Sequence, residues 1–412
     1  MARIEEYILI VSIAFSAVSL AYYLLNSWSS LKLKSSSNTD GRDTPEDVTI
    51  VVPVYNEDEN TFRKCLRSLS TQGAKLLVIG DSSLEPFKSI TLEHNGRFIH
   101  QEARKGKRGT ISNSMNYVDT KYVLFVDSDT VIPKGAVASM LTKFNDKVGG
   151  VGTAVSVRVL EDDKVSYSSE FFEKLKEVMF RSMLMHNSVM VLDGRCAMYR
   201  TGLIKDFMLS DVYTNNKIFG KKSLLAEDRH LTSHIIRLGY KAAIDYDVTV
   251  ITVPQKSFRL MFKQMVRWSR AGYFYFFKEL ADGTYPKRGL FYSFEMAYMY
   301  IFPIMLLILG LMRFDVALTH GLGNYLAYQL HHALFLLEFN FARLGHGFMI
   351  SLWMQALVLF GLAMFGIAIA SRIAKGRKLK TMAYGIVALL MVFVASMYGL
   401  FTVWKQNDWL TR

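Results

Sequence analysis

The sequence predicts a mostly parallel α/β domain joined to a helical membrane region. Three observations carry that prediction. Short β-branched runs alternate with stretches of helical periodicity from Val48 to about Val253, which is the pattern of a parallel sheet covered by helices. Three of those runs end on acidic residues, where such a sheet opens its ligand crevice. Flanking this block are apolar runs of about 20 residues, long enough to cross a hydrocarbon core of about 30 Å.

Taken in order, Tyr7 to Leu25 is the first apolar run. Glu5 and Glu6 precede it, and Lys32, Lys34 and Arg42 follow. The positive-inside rule therefore puts the N-terminus outside and the next segment in the cytoplasm. A cleaved signal peptide is the rival reading, but the acidic start and the lack of an A-x-A site oppose it. Residues 1–30 are read as a transmembrane helix, 31–46 as a polar linker and 47–255 as the α/β domain. Strands are expected over 48–54, 75–80, 122–129 and 151–157, and helices over 60–70, 107–118 and 134–144.

The chain is 51% hydrophobic and 13% aromatic, more than a soluble core needs, and carries a formal net charge of +13. A cytoplasmic membrane surface and an anionic ligand both account for that charge. The basic residues sit beside apolar spans and inside the acidic-ended block and form no separate basic module, so no nucleic-acid partner is expected. Cys65 and Cys196 lack CxxC spacing, which indicates neither a disulfide framework nor a zinc site.

Tyr55-Asn56-Glu57 follows the first strand, Asp81-Ser82-Ser83 the second, and Asp127-Ser128-Asp129 the third. One such residue is as well explained by a helix cap or a turn. Three successive strand ends with the same chemistry argue for a site. Carboxylates spaced as Asp127-x-Asp129 suit a hard divalent cation that also takes substrate phosphates. The run Arg104-Lys105-Gly106-Lys107-Arg108-Gly109 precedes a helix and suits phosphate, although a solvated loop would look the same. Glu227-Asp228 opens another helix, and like-charge repulsion should separate their pKa values and poise one of them. From Ser257 to about Glu279, Phe258, Met261, Phe262, Met265, Trp268 and Phe276 recur at helical spacing beside Arg259, Lys263, Arg267 and Arg270. Residues 256–282 are therefore expected to form an interfacial amphipathic helix, with Gln264 and Trp268 on one face.

In one order the chain carries Pro53-x-Tyr55-Asn56-Glu57, Asp81, Gly106-Lys107-Arg108, Asp127-Ser128-Asp129, Glu227-Asp228-Arg229 and Gln264-x-x-Arg267-Trp268. That set resembles the family 2 glycosyltransferases of GT-A fold. Within them it looks like the membrane-embedded processive synthases of hyaluronan, chitin, nodulation chitooligosaccharide and cellulose. Glu227 to Thr232 and Trp409-Leu410-Thr411-Arg412 are similar to the hyaluronan and chitooligosaccharide branch, and Gly194 to Arg200 resembles its acceptor segment.

The resemblance implies roles for these residues. Pro53, Tyr55, Glu57, Asp81 and Asp127 would bind the nucleotide, Lys107 and Arg108 would lie near the diphosphate, and Asp129 with Asp127 would hold Mg²⁺ or Mn²⁺. Asp228 would be the general base with Glu227 as its tuning neighbour. Gln264, Arg267 and Trp268 would hold acceptor sugar and diphosphate, and Gly194, Arg195 and Cys196 would shape the acceptor pocket. Trp409 and Arg412, in a tail over 406–412, would close over the nucleotide. The implied protein is a multi-pass plasma-membrane enzyme with a cytoplasmic catalytic domain. It would transfer sugar, GlcNAc by preference, from a UDP-sugar to a β-linked glycan within the bilayer. The sequence leaves the oligomeric state open, and a monomer is compatible with it. Two rivals stand beside it: a non-processive transferase acting on a lipid-linked acceptor, and a non-catalytic transporter or scaffold. Ala226 stands where the family has Gly, Lys263 where many members have Gln, and Arg195 where they have Pro.

In the membrane region, 288–405, Leu290–Met312, Met349–Ser371 and Met382–Trp404 read as spans, and Val316–Leu337 with His331-His332 is ambiguous. The basic stretch Arg372 to Lys380 is expected in the cytoplasm. A full final crossing would then put the tail outside. Four crossings would put the tail inside but the basic loop outside, and a re-entrant or interfacial final segment is the third option. A cytoplasmic tail is favoured, because the W-x-T-R resemblance has meaning only there.

Overall fold

The computed structural model describes residues 2–33, 43–218, 220–223, 225–320 and 346–405. Its strands are β1 (Val48–Val54), β2 (Lys75–Asp81), β3 (Arg97–Gln101), β4 (Tyr122–Val126), β5 (Val148–Val157), β6 (Cys196–Arg200), β7 (Lys217–Ile218), β8 (Lys221–Lys222) and β9 (Lys241–Thr252). Seven of them form one sheet in the order β3-β2-β1-β4-β6-β5-β9, and β7 pairs with β8 separately. Every neighbouring pair in the large sheet is parallel except those of β6, which runs antiparallel to both β4 and β5.

The period-2 alternation of β1 explains how the sheet is covered. Ile50, Val52 and Val54 pack with Phe62, Leu66 and Leu69 of the helix Glu59–Leu69 on one face. Val51 packs with Leu77, Ile79, Ile111 and Met115 on the other. Asp58 caps the Glu59–Leu69 helix by accepting from the Thr61 N–H at 2.8 Å.

The four predicted strands and three predicted helices appear with small shifts. The run expected over 122–129 leaves the sheet at Val126, so Asp127 to Asp129 lie in the loop beyond it. The helix expected over 107–118 is Gly106–Ser114 followed by a 3-10 turn, and that over 134–144 is Ala136–Leu141. The strands β3 and β6 and the helix Lys164–Met185 were not expected from the sequence.

Among the described residues, four helices are long and apolar enough to cross a membrane: Ile10–Lys32, Leu290–Leu311, Trp353–Ser371 and Lys375–Leu400. Phe15 stacks on Phe302, Tyr22 on Tyr298, and Asn26 Nδ2 donates to Glu295 Oε1 at 2.6 Å. Numbering rises along one helix as it falls along the other, so the first two run antiparallel. Arg372 Nη2 donates to the Ser30 carbonyl at 2.8 Å, which sets the basic 372–380 stretch beside the domain-proximal end of the first span. Of the ambiguous Val316–Leu337, residues to His320 continue the helix Leu290–His320, and 321–337 with His331-His332 lie outside the described residues.

Two helices attach the sheet to these spans. Lys164–Met185 places Phe171 and Val178 among Phe365, Ile369 and Ala388 of the last two spans. The Phe258–Ala281 helix starts at Ser257, whose hydroxyl accepts from the Leu260 N–H at 3.3 Å. Its apolar stripe packs into protein, with Met261, Met265 and Val266 in that same cluster, and its predicted basic stripe is broken because Arg270 is buried.

Candidate active site

The parallel part of the sheet delivers Tyr55, Glu57, Asp81 and the Asp127–Asp129 loop to one edge, as its topology requires. Asp81, at the end of β2, accepts from the Lys105 and Gly106 N–H groups at 2.8 and 2.9 Å and from Gln101 Nε2 at 2.8 Å. Its carboxylate thus fixes the start of the Gly106–Ser114 helix. Glu57 accepts from the Ser128 hydroxyl at 2.9 Å, which joins the loop after β1 to the loop after β4. The Arg104 guanidinium lies over the Tyr55 ring, 3.9 Å from its centroid. Pro53 is half-buried within β1.

Lys107 is the centre of the charge arrangement. Its Nζ lies 2.6 Å from Asp127 Oδ1 and 3.0 Å from Glu227 Oε1, and it donates to the Gly194 carbonyl at 3.3 Å. The two carboxylates hold its ammonium above its ordinary pKa despite burial. Gly194 leaves little room here for a side chain. A Cβ at that position would lie 3.2 Å from Lys107 Nζ and 3.3 Å from Asp228 Cβ.

Glu227 and Asp228 form the first turn of the helix Glu227–Arg237. The chain enters that turn through Ala226 in the left-handed region, at φ 54° and ψ 47°. Only glycine adopts this conformation without steric cost, which accounts for the glycine the family places there. Ala226→Gly is accordingly expected to stabilise the folded protein by about 1 kcal/mol. A thermal melt of the purified variant, rising against wild type, checks it.

The two adjacent carboxyls are driven apart. Burial pushes Glu227 up, but the Lys107 ammonium and the Arg108 guanidinium outweigh it and hold Glu227 below its usual range. For Asp228, burial and the charges of Glu227 and Asp193 win over Lys107, and its pKa is pushed up to about 6. Asp228 Oδ1 accepts from the Arg229 N–H at 2.7 Å and Oδ2 from the Gly194 N–H at 3.4 Å. The arrangement is an oriented carboxylate with a raised pKa beside an anchored cation, the make-up of a general base next to an anion site.

Three expected site residues are placed otherwise. Arg108 is 2% exposed and turns inward, donating to the Leu225 carbonyl at 2.7 Å and facing His230 Nδ1 at 3.1 Å. It braces the approach to the Glu227 helix and does not line the crevice. Arg195 is committed to Asp193 and, through two 3.0 Å contacts, to Glu173. Burial opposes ionisation of Asp193, but Arg195 overrides it and keeps that carboxyl well below the usual range. Cys196 is fully buried in β6, where burial pushes its thiol up to about 12.

Of the residues expected to hold the acceptor, Trp268 stacks on Phe172 at 5.6 Å, with Lys176 Nζ 5.1 Å from its ring centroid. Gln264 and Arg267 sit half-buried on the same helix. Trp409 and Arg412 lie outside the described residues. Sequence reasoning missed Asp193, Glu173 and Lys176, which link Asp228 to Trp268 through Arg195. Asp193 carried a readable signal, a carboxylate directly before the Gly194-Arg195-Cys196 segment.

Among the described residues, no three acidic, His or Cys groups converge as a metal cage. The donor set at Asp127 and Asp129, two carboxylates without imidazole or thiol, fits a hard cation that completes its shell with substrate phosphates and water.

A family model described as "Glycosyltransferase like family 2" matches residues 45–271, more than half of the chain. The protein belongs to that family, on a GT-A-like fold. An N-acetylglucosaminyltransferase of Bradyrhizobium diazoefficiens is 27% identical over 244 residues, covering 54% of this chain and 48% of the relative. Hyaluronan synthase 3 of Mus musculus is 24% identical over 316 residues, covering 64% of this chain and 56% of the relative. The chain thus spans about half the length of these curated relatives. Among solved structures, a mannosyltransferase from Pyrobaculum calidifontis, in complex with GDP-Man and Mn²⁺, aligns with a TM-score of 0.57 at 18% identity. That alignment covers 86% of this chain and 98% of the mannosyltransferase, and it bears on the fold.

Proposed function

We propose that the protein is a membrane-integrated, inverting hexosyltransferase that moves GlcNAc from UDP-GlcNAc to a growing β-linked glycan and passes the product through its own membrane region. The observation that carries this reading is Asp228. It is an oriented carboxylate with its pKa raised to about 6, adjoining the Lys107–Asp127 pair and flanked by Ala226 and Arg229, which Tyr275 and Glu279 of the Phe258–Ala281 helix contact. Asp228 takes the proton of the acceptor hydroxyl as its oxygen attacks the anomeric carbon. The bond from that carbon to the diphosphate breaks, and UDP departs with the electron pair. Lys107 supplies positive charge where the leaving group gains negative charge. A Mg²⁺ or Mn²⁺ ion held by Asp129 and Asp127 would supply further stabilisation of the diphosphate.

The choice of GlcNAc rests on the N-acetylglucosaminyltransferase and hyaluronan synthase relatives. A glycan acceptor and a cytoplasmic site in the plasma membrane belong to the same reading. Contacts at both ends of the last helix support a segment through Lys405 on the domain's side. Ser168 Oγ donates to the Tyr384 carbonyl at 3.2 Å near its start. Past its end, Arg270 donates to Thr402 Oγ1 at 3.0 Å and to the Lys405 carbonyl at 3.2 Å.

Purified protein with Mn²⁺ is tested against a panel of UDP-sugars, with GDP-mannose included, and nucleoside diphosphate release is measured. Release from UDP-GlcNAc, with a ladder of products on a gel, is expected. Turnover of GDP-mannose alone overturns the donor assignment, and a single-sugar product overturns polymerisation.

A further inference from the structure

Glu279, on the Phe258–Ala281 helix, is wholly buried, and its carboxylate gathers side chains from three other segments. From the Glu227–Arg237 helix, Arg229 Nη2 and Ser233 Oγ donate to it, each at 3.3 Å. Arg288 Nη1, just ahead of the Leu290 span, donates at 3.0 Å, and the Tyr292 hydroxyl of the span donates at 2.5 Å. Arg229 also reaches Tyr292 OH at 3.2 Å and Tyr300 OH at 3.4 Å. One turn earlier on the same face, the Tyr275 hydroxyl donates to the Ala226 carbonyl at 3.5 Å, and the Arg229 guanidinium lies 5.3 Å from the Tyr275 ring centroid. The backbone N–H of Arg229 in turn donates to Asp228 Oδ1 at 2.7 Å.

A buried carboxylate between two guanidiniums is often a neutral or costly way to hold helices together. Stability alone therefore gives a weak reason for this arrangement, and its location gives a better one. The clamped side chain belongs to the residue whose N–H orients Asp228, and Glu279's other partners, Arg288 and Tyr292, stand just ahead of and on the Leu290–Leu311 candidate span. We propose that Glu279, assisted by Tyr275, is a positioning residue: it holds Arg229 so that the membrane-side helices set the placement and charge environment of Asp228. The inference rests on the reading of Asp228 as the base.

The charges involved face one another from every packed element. Around Glu279 are Arg229, Arg288, Tyr292 and its neighbour Lys278. Around Asp228 are Glu227, Asp193 and Lys107. Glu279→Gln keeps the shape and removes the charge. Arg229 then carries an unmatched positive charge one residue from Asp228, which favours the ionised carboxylate. The acid limb of kcat should move below its wild-type midpoint, and kcat should fall about 10²-fold while the KM for UDP-GlcNAc stays within about twofold.

The experiment measures kcat, KM and the kcat–pH profile of wild type, Glu279→Gln, Tyr275→Phe, Tyr292→Phe and Asp228→Asn on UDP-GlcNAc. A purely structural tie lowers the amount of active protein and leaves the pH limb in place; that result overturns the proposal. If Glu279→Gln fails to fold, the two Tyr→Phe variants decide. A smaller kcat loss at unchanged KM supports the clamp, and wild-type kcat in both overturns it. Full activity in Asp228→Asn would instead remove the base assignment on which the clamp depends.

Discussion

Replacing Asp228 with Asn should lower transfer about 10³-fold and leave nucleotide binding intact, because general-base catalysis contributes 10²–10⁴-fold. The wild-type rate should fall as pH drops through about 6, where Asp228 takes up its proton, and the Asn variant should lose that limb. The same substitution should stabilise the fold. An acid whose folded pKa lies at about 6, against an ordinary 3.8, binds its proton more tightly when folded. Stability is therefore lost as pH rises through that window and stays lost above it. Asn removes this cost, on the order of 2 kcal/mol at neutral pH after allowance for partial exposure, and gives no gain below about pH 4. Thermal melts at pH 4 and pH 7.5, set beside a UDP-release assay, check both halves. Loss of activity with a raised Tm separates a missing base from a damaged fold.

Lys107→Met has the second-largest expected effect. The ammonium matches Asp127 and Glu227 and lowers the pKa of Asp228 as well. Its loss leaves like-charged carboxylates together with little water, and breaking such a pair costs about 3 kcal/mol. Without it both Glu227 and Asp228 titrate higher, so the acid limb of kcat should move above its wild-type midpoint. The direction is opposite to that expected for Glu279→Gln, and one pH series distinguishes the two positions. Donor affinity should also drop, since Lys107 is the cation that faces Asp127. A melt and a kcat/KM–pH profile of the variant measure these effects.

The acidic strand ends were legible because a parallel sheet sends consecutive strand termini to one edge, and local sequence alone marks where strands stop. Glu227-Asp228 was legible as a helix start with unlike pKa values, although the partner that separates them, Lys107, is 120 residues away in the chain. Packing decided what local sequence left open. Arg108 reads as a phosphate ligand beside glycines, yet the carbonyls of the 213–225 segment and His230 draw it inside. Arg195 departs from the family's proline, and two carboxylates absorb its charge, Asp193 two residues earlier and Glu173 on the Lys164–Met185 helix. The antiparallel β6, Cys196–Arg200, carries none of the β-branched residues that mark the other sheet strands. Glu279 looks like one more solvated charge near the end of an amphipathic helix; only the fold brings Arg229, Arg288 and Tyr292 to it.

The proposed function stands on Asp228 acting as the base in glycosyl transfer from UDP-GlcNAc. Its most direct test is UDP release by the purified protein in lipid nanodiscs with Mn²⁺, wild type and Asp228→Asn side by side. Donor-dependent release by wild type at neutral pH and a loss of about 10³-fold in the variant are expected. Equal rates in the two proteins, or no release by wild type, would contradict the proposed function.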